Sequence, residues 1–234
     1  MLGTHASTRT VILASSSPRR RELLALGGLR FQVRPAAADE TALPGEPPLE
    51  FVQRMSRTKA RLVAAGAEPG AVVIGADTIV VLDEGPGAPS ILGKPRDAAQ
   101  AAEMLRRLGG HSHRVLTAIT LIDTASGAER SEVVTARVPM RAYGDDEIEA
   151  YVASGNPLDK AGAYAIQHPR FKPVDGRQFA DCFATVMGLP VCRLLRLLEE
   201  MGVPRQLARP PADCARFDPA ACPIYPAIDQ DSGR

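Results

Sequence analysis

The sequence of 234 residues contains no tryptophan and only 4% aromatic residues, and its formal net charge is only +1. RNA-binding modules stack bases on aromatic side chains, and duplex-binding proteins need a broad basic face against the phosphates. Both classes are therefore disfavoured, and we expect no nucleic-acid partner. A local basic pocket is still compatible with this charge.

Long apolar runs are also missing. No segment approaches the roughly 18 apolar residues that a membrane span needs, and Met1–Arg9 lacks the apolar stretch of a signal peptide. We therefore expect a cytoplasmic protein with no membrane partner. The four cysteines show no C-x-x-C spacing, which favours free thiols over a zinc site or a disulfide: Cys182, Cys192, Cys214 and Cys222.

Three common catalytic motifs are absent as well: the G-x-x-x-x-G-K-[ST] phosphate loop, a G-x-G-x-x-G after a strand, and a nucleophile elbow. Covalent and dinucleotide chemistries are therefore not expected. His111 and His113 lie two residues apart without further ligands nearby in the sequence, so we expect them to be surface or packing residues.

The 45% of hydrophobic residues is enough to bury a core. We predict one domain over residues 10–204, with a short head at 1–9. Residues 205–234 contain many prolines, which interrupt helices, and we expect them to form a tail on the body of the protein.

Hydrophobic patterns and turn signals predict the elements of the fold. The β-branched run 10–14 followed by Ser17-Pro18 predicts a strand, a tight loop and a helix that stops near Gly27. Further helices are predicted at 49–65, 98–108, 145–154 and 191–201, and strands at 71–82, 91–94, 115–122, 132–140 and 161–166. This order predicts an α/β protein with a mixed three-layer fold around a long twisted sheet.

Three successive arginines occupy the first turn of the first predicted helix. Cations are unfavourable there by a few tenths of a kcal/mol because the helix dipole is positive at its N-terminus. A bound anion would reverse that sign, so we predict that Arg19 and Arg20 bind phosphate together with Ser15. Arg21 is expected to be a solvated charge, and Ser17 a helix cap.

Asp77 lies in an otherwise apolar strand, where a carboxylate is costly without compensation. Thr78 beside it and the small Gly75 would suit Mg²⁺ and a water, whereas backbone amides could satisfy a purely structural Asp77. Lys59 falls on the buried stripe of the second helix. Its ammonium either points into an anion site or snorkels along the edge of the core.

Further charged residues are candidate ligands of phosphate or of a metal ion. Lys94 and Lys160 lie at ends of predicted strands and are candidate phosphate ligands. Glu40 could supply a second metal ligand, while its neighbour Asp39 competes for that role or only caps the chain.

Five segments, in this order, resemble the Maf family of nucleoside triphosphate pyrophosphatases: LASSSPRRRELL at 13–24, VIGADTIVV at 73–81, LGKP at 92–95, LDKAGAYAIQ at 158–167 and VMGLPV at 186–191. The resemblance implies a fold related to the inosine triphosphate pyrophosphatases and a housecleaning role in nucleotide metabolism. It also implies metal-dependent hydrolysis between the α and β phosphates, a cytoplasmic setting and, in many members, a homodimer.

Position by position, the resemblance makes Asp77 the proton acceptor and, with Glu40, the ligand of Mg²⁺ or Mn²⁺. The implied phosphate-binding set is Ser15, Arg19, Arg20, Lys59, Lys94 and Lys160. In the implied mechanism, Asp77 helps to deprotonate a water that attacks the α-phosphorus in line.

Arg19, Thr78 and Gln167 resemble the branch that acts on dTTP and UTP rather than the branch that favours 7-methyl-GTP. The sequence departs from the family pattern at His168, where glycine is usual, and 168–185 lacks the common Phe-Val segment. Two alternatives remain open: a non-catalytic nucleotide-binding regulator of cell division, or the same chemistry on a purine or modified nucleotide.

Overall fold

The computed structural model describes residues 9–83, 85 and 89–204. The predicted tail with Cys214 and Cys222, and nearly all of the predicted head, lie outside the described residues. Within the described chain, no helix is long and apolar enough to cross a membrane.

The strands are β1 (Val11–Leu13), β2 (Phe31–Val33), β3 (Val72–Leu82), β4 (Ser90–Leu92), β5 (Ser112–Asp123) and β6 (Glu129–Pro139). The α-helices are α1 (Pro18–Leu26), α2 (Pro48–Ala64), α3 (Ala98–Leu108), α4 (Asp145–Ala153), α5 (Phe183–Met187) and α6 (Val191–Glu200). Two 3₁₀ turns cover Asn156–Asp159 and Ala161–Ala163.

The strands form one mixed sheet in the order β2-β1-β3-β5-β6, with β4 paired to β3. The short strands β1 and β2 are parallel, and β1 is also parallel to β3, whereas β3, β4, β5 and β6 pair antiparallel. Pairing of β1 with β3 ends at Leu13 and Ile74, so β3 continues past the carboxyl end of β1. The candidate functional site lies at this edge, where β3 extends beyond β1.

Helices cover both faces of the sheet, which confirms the predicted three-layer α/β architecture. On one face α2 packs against β3 and β5. On the other face α1, α5 and α6 cover one end of β3, and α3 and α4 cover its other end. The two clusters use Ala76 and Val80 of β3, and Thr78 lies between them on the same face because strand side chains alternate.

Gly75 allows α2 to approach β3 closely. A Cβ at this position would lie 2.7 Å from Ala60 N and still closer to Ser56 O, so both helix backbone atoms would have to move. The next residue of β3 on this face is Asp77, and Lys59 of α2 lies above it. The missing side chain at 75 therefore brings the lysine within reach of the carboxylate.

Most predicted elements agree with the structure to within a few residues. Helix α3 has the predicted bounds 98–108, with Asp97 as the expected cap that accepts from Gln100 N at 2.8 Å. The short elements β2 and α5, of three and five residues, were not predicted.

The predicted strand at 161–166 is wrong. A 3₁₀ turn begins this segment, and Gly162 and Ala163 have φ angles of +67° and +59°, which a β-strand does not allow. Gly162 lies directly on Val80, where a Cβ would come within 2.9 Å of the valine side chain. This tertiary contact overrides the apolar pattern that favoured a strand.

Gly75→Ala should destabilise the protein by about 1–3 kcal/mol, because the added methyl group pushes α2 away from the sheet. Urea unfolding would measure the loss. Gly66→Ala is the matched control, since its Cβ would meet no atom within 4 Å, and its effect should stay within about 0.5 kcal/mol. Equal effects of the two variants would contradict the close approach at Gly75.

Candidate active site

A cleft of about 520 Å³ opens where β1 and β2 end and α1 begins. Its volume lies in the range of about 300–1,000 Å³ that is usual for small-molecule sites. The structure brings every predicted site residue to its wall: Ser15, Arg19, Arg20, Glu40, Lys59, Asp77, Thr78, Lys94, Lys160 and Gln167.

Lys59 joins the two carboxylates of the cleft. Its Nζ donates to Asp77 Oδ1 at 2.6 Å and forms a second ion pair with Glu40 Oε1, also at 2.6 Å. Lys59 and Asp77 are each 7% exposed, so the lysine points inward instead of snorkelling to solvent. The ammonium thus compensates the charge that β3 carries into the protein.

The pKa values of the two carboxyl groups shift in opposite directions. Burial raises the pKa of Asp77, although the charges of Lys59 and Arg20 act against this. Burial also acts to raise the pKa of Glu40, but the hydrogen bond and charge of Lys59, with Lys94 and Arg20, bring it below its usual value. Asp77 is therefore the better proton acceptor, and Glu40 the more persistent anion.

Arg20 is fixed by three protein acceptors before any ligand binds. Its Nε donates to Gly188 O at 2.9 Å, Nη1 to Ser15 Oγ at 3.2 Å and Nη2 to Thr78 Oγ1 at 3.1 Å. Burial lowers the pKa of this guanidinium, and the nearby charge of Asp77 opposes the shift. Ser17 accepts from Arg20 N at 3.5 Å, which confirms its predicted role as helix cap.

Arg19 and Lys160 share the carboxylate of Asp159, which was not among the predicted site residues. Asp159 Oδ2 accepts from Arg19 Nη1 at 3.1 Å, and Asp159 Oδ1 pairs with Lys160 Nζ. Asp159 directly precedes Lys160 in the LDKAG segment, which is the one sequence signal for it. Its contact with Arg19 spans 140 residues and depends on the fold.

Residues 164–167 line the cleft, and the unusual His168 follows them directly. Its Nδ1 accepts from Phe171 N at 2.8 Å, and its ring meets Tyr151 edge-on with centroids 4.9 Å apart. Tyr151 Oη in turn donates to Asn156 Oδ1 at 3.3 Å and accepts from Ala165 N at 3.1 Å. The histidine therefore braces the loop that carries Gln167.

Asp39, His111 and His113 have local roles. Asp39 lies outside the wall of the cleft and accepts from both the N and Oγ1 of Thr41, at 2.9 and 2.6 Å, as a local cap. His111 is exposed, whereas His113 is buried with Nε2 2.8 Å from Tyr164 Oη, and burial lowers its pKa to about 4. Both histidines are thus surface or packing residues, as expected.

Within the part of the chain that the structure describes, no group of three or more His, Cys, Asp or Glu side chains converges. Asp77 and Glu40 nevertheless lie side by side, since each has one carboxylate oxygen 2.6 Å from Lys59 Nζ. Proteins commonly bind Mg²⁺ through one or two carboxylates while substrate phosphates and waters complete the shell. The donor set therefore fits a cation that arrives with a phosphate ligand.

The cleft combines these carboxylates with five cationic side chains: Arg19, Arg20, Lys59, Lys94 and Lys160. Such a wall suits a polyanion. The family model for "Maf-like protein" matches residues 10–201, which include all ten predicted site residues. The chain belongs to the Maf family.

Curated Maf relatives match along most of their length. A dTTP/UTP pyrophosphatase of Anaeromyxobacter dehalogenans (strain 2CP-1 / ATCC BAA-258) is 47% identical over 86% of this chain and 98% of its own. One of Syntrophotalea carbinolica is 42% identical over 90% and 93%. The solved Ham1 protein of Staphylococcus aureus has a TM-score of 0.43 at 15% identity, over 83% of this chain and 100% of its own.

Lys59→Met should lower the free energy of unfolding by about 3–5 kcal/mol at pH 8, because it leaves the Asp77 carboxylate buried without its counter-ion. A folded-state pKa raised further above the unfolded value favours the protonated carboxyl. The deficit should therefore be smallest below the ordinary carboxyl range near pH 4 and grow as the pH rises through the raised pKa.

Urea unfolding at a series of pH values would measure this dependence. Asp77→Asn in the Lys59→Met background should restore much of the stability at pH 8, since the buried charge is gone. A deficit that is independent of pH, and unchanged in the double variant, would contradict the ion-pair explanation.

Proposed function

We propose that this Maf protein hydrolyses nucleoside triphosphates, dTTP and UTP foremost, to the monophosphate and pyrophosphate. The observation that carries the proposal is the buried Asp77, which pairs with Lys59 in a cleft of about 520 Å³. Four further cationic side chains line this cleft, and together they suit a polyanion. The relatives named dTTP/UTP pyrophosphatase support both the reaction and the substrates. A housecleaning role in nucleotide metabolism follows from this activity.

The cations are proposed to bind the phosphate chain. Arg20 and Ser15 lie where the N-terminus of α1 faces the cleft, and the helix dipole favours an anion there. Lys94 and Lys160 extend the positive wall across the opening. As pyrophosphate leaves, these groups offset the charge that accumulates on it.

Asp77 is proposed to accept the proton of the attacking water. Burial has raised the pKa of this carboxyl, which strengthens it as a base. The water oxygen forms a bond to the α-phosphorus while the bond from that phosphorus to the bridging oxygen breaks. The electron pair leaves with pyrophosphate, and the proton passes to Asp77.

Asp77 and Glu40 are proposed to hold a divalent cation, Mg²⁺ or Mn²⁺, together with substrate oxygens. When bound, such a cation offsets charge on the phosphates and lowers the pKa of water. Glu40 suits this role because it is ionised at neutral pH, and its lowered pKa keeps it ionised in more acidic solution as well. Lys59 pairs with one oxygen of each carboxylate and so holds the two groups side by side.

Arg19, Thr78 and Gln167 are proposed to favour a pyrimidine base. All three line the cleft, and Gln167 belongs to the loop braced by His168.

In a panel of common and modified triphosphates, dTTP and UTP should give the highest kcat/KM. A purine or modified nucleotide at the top of the panel would replace this substrate assignment and leave the reaction intact.

The resemblance to the Maf family also supports proposals on the domain bounds, the oligomeric state and the location of the protein. All ten site residues fall within 10–204, which we take as the catalytic domain. A homodimer in the cytoplasm is part of the same proposal.

Asp77→Asn should keep the fold but lower the turnover of UTP by about 10²–10⁴-fold, because the amide cannot accept the proton. Chromatography of a UTP incubation would measure UMP and pyrophosphate, which the wild-type protein should release in equal amounts. Wild-type rates in the variant would remove Asp77 from the mechanism. Binding without either product in the wild type would instead favour the non-catalytic regulator.

A further inference from the structure

A chain of hydroxyl groups runs beneath the cleft. Thr117 of β5 is fully buried, and its Oγ1 donates to Thr185 O of α5 at 2.8 Å. The same oxygen lies 2.9 Å from Thr78 Oγ1 of β3, and Thr78 Oγ1 lies 3.1 Å from Arg20 Nη2. Thr117 itself is not part of the wall of the cleft.

The direction of each bond in this chain follows from counting protons. A threonine hydroxyl carries one proton and two lone pairs. Thr117 uses its proton on the carbonyl of Thr185, so it must accept from Thr78. Thr78 then has no proton left and accepts from Arg20, which can only donate. The bonds therefore run from Arg20 through Thr78 and Thr117 to Thr185 in one direction.

Helix α5 closes this chain into a ring. Arg20 Nε donates to Gly188 O directly after α5, while Thr185 O, within α5, accepts the hydrogen bond from Thr117 Oγ1. Gly188 has φ +107°, and a Cβ there would lie 3.2 Å from Thr78 Oγ1 and 3.4 Å from Arg20 Nε. The ring thus joins α1, β3, β5 and α5 around one guanidinium with little space left.

We propose that Thr117 is a positioning residue that holds Arg20, through Thr78, in the orientation that receives the phosphate chain. The inference rests on the proposed function of the cleft. Thr117 fixes the direction of the Thr78 hydroxyl, and this hydroxyl fixes one of the two terminal nitrogens of the guanidinium. Without the acceptor at 117, the proton of Thr78 has to turn elsewhere, and Arg20 loses an oriented partner.

If Thr117 only supports the fold, substitutions at 117 should have no special effect on nucleotide binding. Thr120 is the matched control, because it is also fully buried in β5 and also belongs to a hydroxyl cluster, with Ser56 and Ser131 at 2.8 Å each. That cluster lies on the α2 side and does not include Arg20. If buried threonines of β5 only support the fold, substitutions at 117 and 120 should have similar effects.

The experiment compares T117V, T117S and T120V with the wild-type protein. Calorimetry with α,β-imido-UTP gives Kd, UTP turnover gives KM and kcat, and thermal melting reports the fold. T117V should raise both Kd and KM about tenfold with a smaller change in kcat, since misdirected binding groups weaken binding strongly. T117S, which keeps the hydroxyl, should stay within about twofold of wild type, as should T120V.

Several results would overturn the inference. They are an unchanged Kd in T117V, an equal rise in T120V, or a failure of T117S to restore binding. If T117V does not fold, T117A carries the same expectation. A wild type that binds α,β-imido-UTP but does not cleave UTP would overturn the proposed function alone, and one that binds no triphosphate would overturn both.

Discussion

The ion pair between Lys59 and Asp77 is the interaction on which the site depends. A carboxylate in the middle of a buried strand is unfavourable by several kcal/mol unless a counter-ion lies in contact with it. The counter-ion comes from α2, and α2 comes close enough only because position 75 has no side chain. One glycine, one lysine and one aspartate thus couple the packing of a helix to the chemistry of the cleft.

The rest of the cleft is built on the opposite face of the sheet by two separate helix groups. One group includes α1, α5 and α6, and the other includes α3 and α4. The cleft opens between them, where Thr78 and Arg20 are linked. Because neither group fills this gap, the segment 164–167 can line it. His168, directly after this segment, departs from the family pattern, yet its hydrogen bond with Phe171 N still gives a defined loop.

Features encoded within one element could be predicted from the sequence. The inward position of Lys59 follows from helical periodicity, the burial of Asp77 from the apolar run around it, and the cap at Ser17 from its place before a proline. The resemblance to known motifs then placed the remaining residues, such as Lys94 and Gln167, at the same cleft.

Features that depend on contacts between distant segments could not be predicted. The pairing of Asp159 with Arg19 joins two loops 140 residues apart. Thr117 looks like any β-branched residue of a core strand, and only the pairing of β5 with β3 sets it opposite Thr78. The turn at Gly162 was mistaken for a strand because its conformation is imposed by Val80, which no local pattern contains.

The strand β3 presents two consecutive residues of the site, Asp77 and Thr78, on opposite faces because its side chains alternate. The polypeptide itself therefore separates the anionic half of the site, with Lys59 and Glu40, from the half that orients Arg20. Arg20 therefore hydrogen-bonds to Thr78, while its charge still acts on the Asp77 carboxylate across the cleft. A slip of β3 by a single residue would exchange the two faces and abolish this separation.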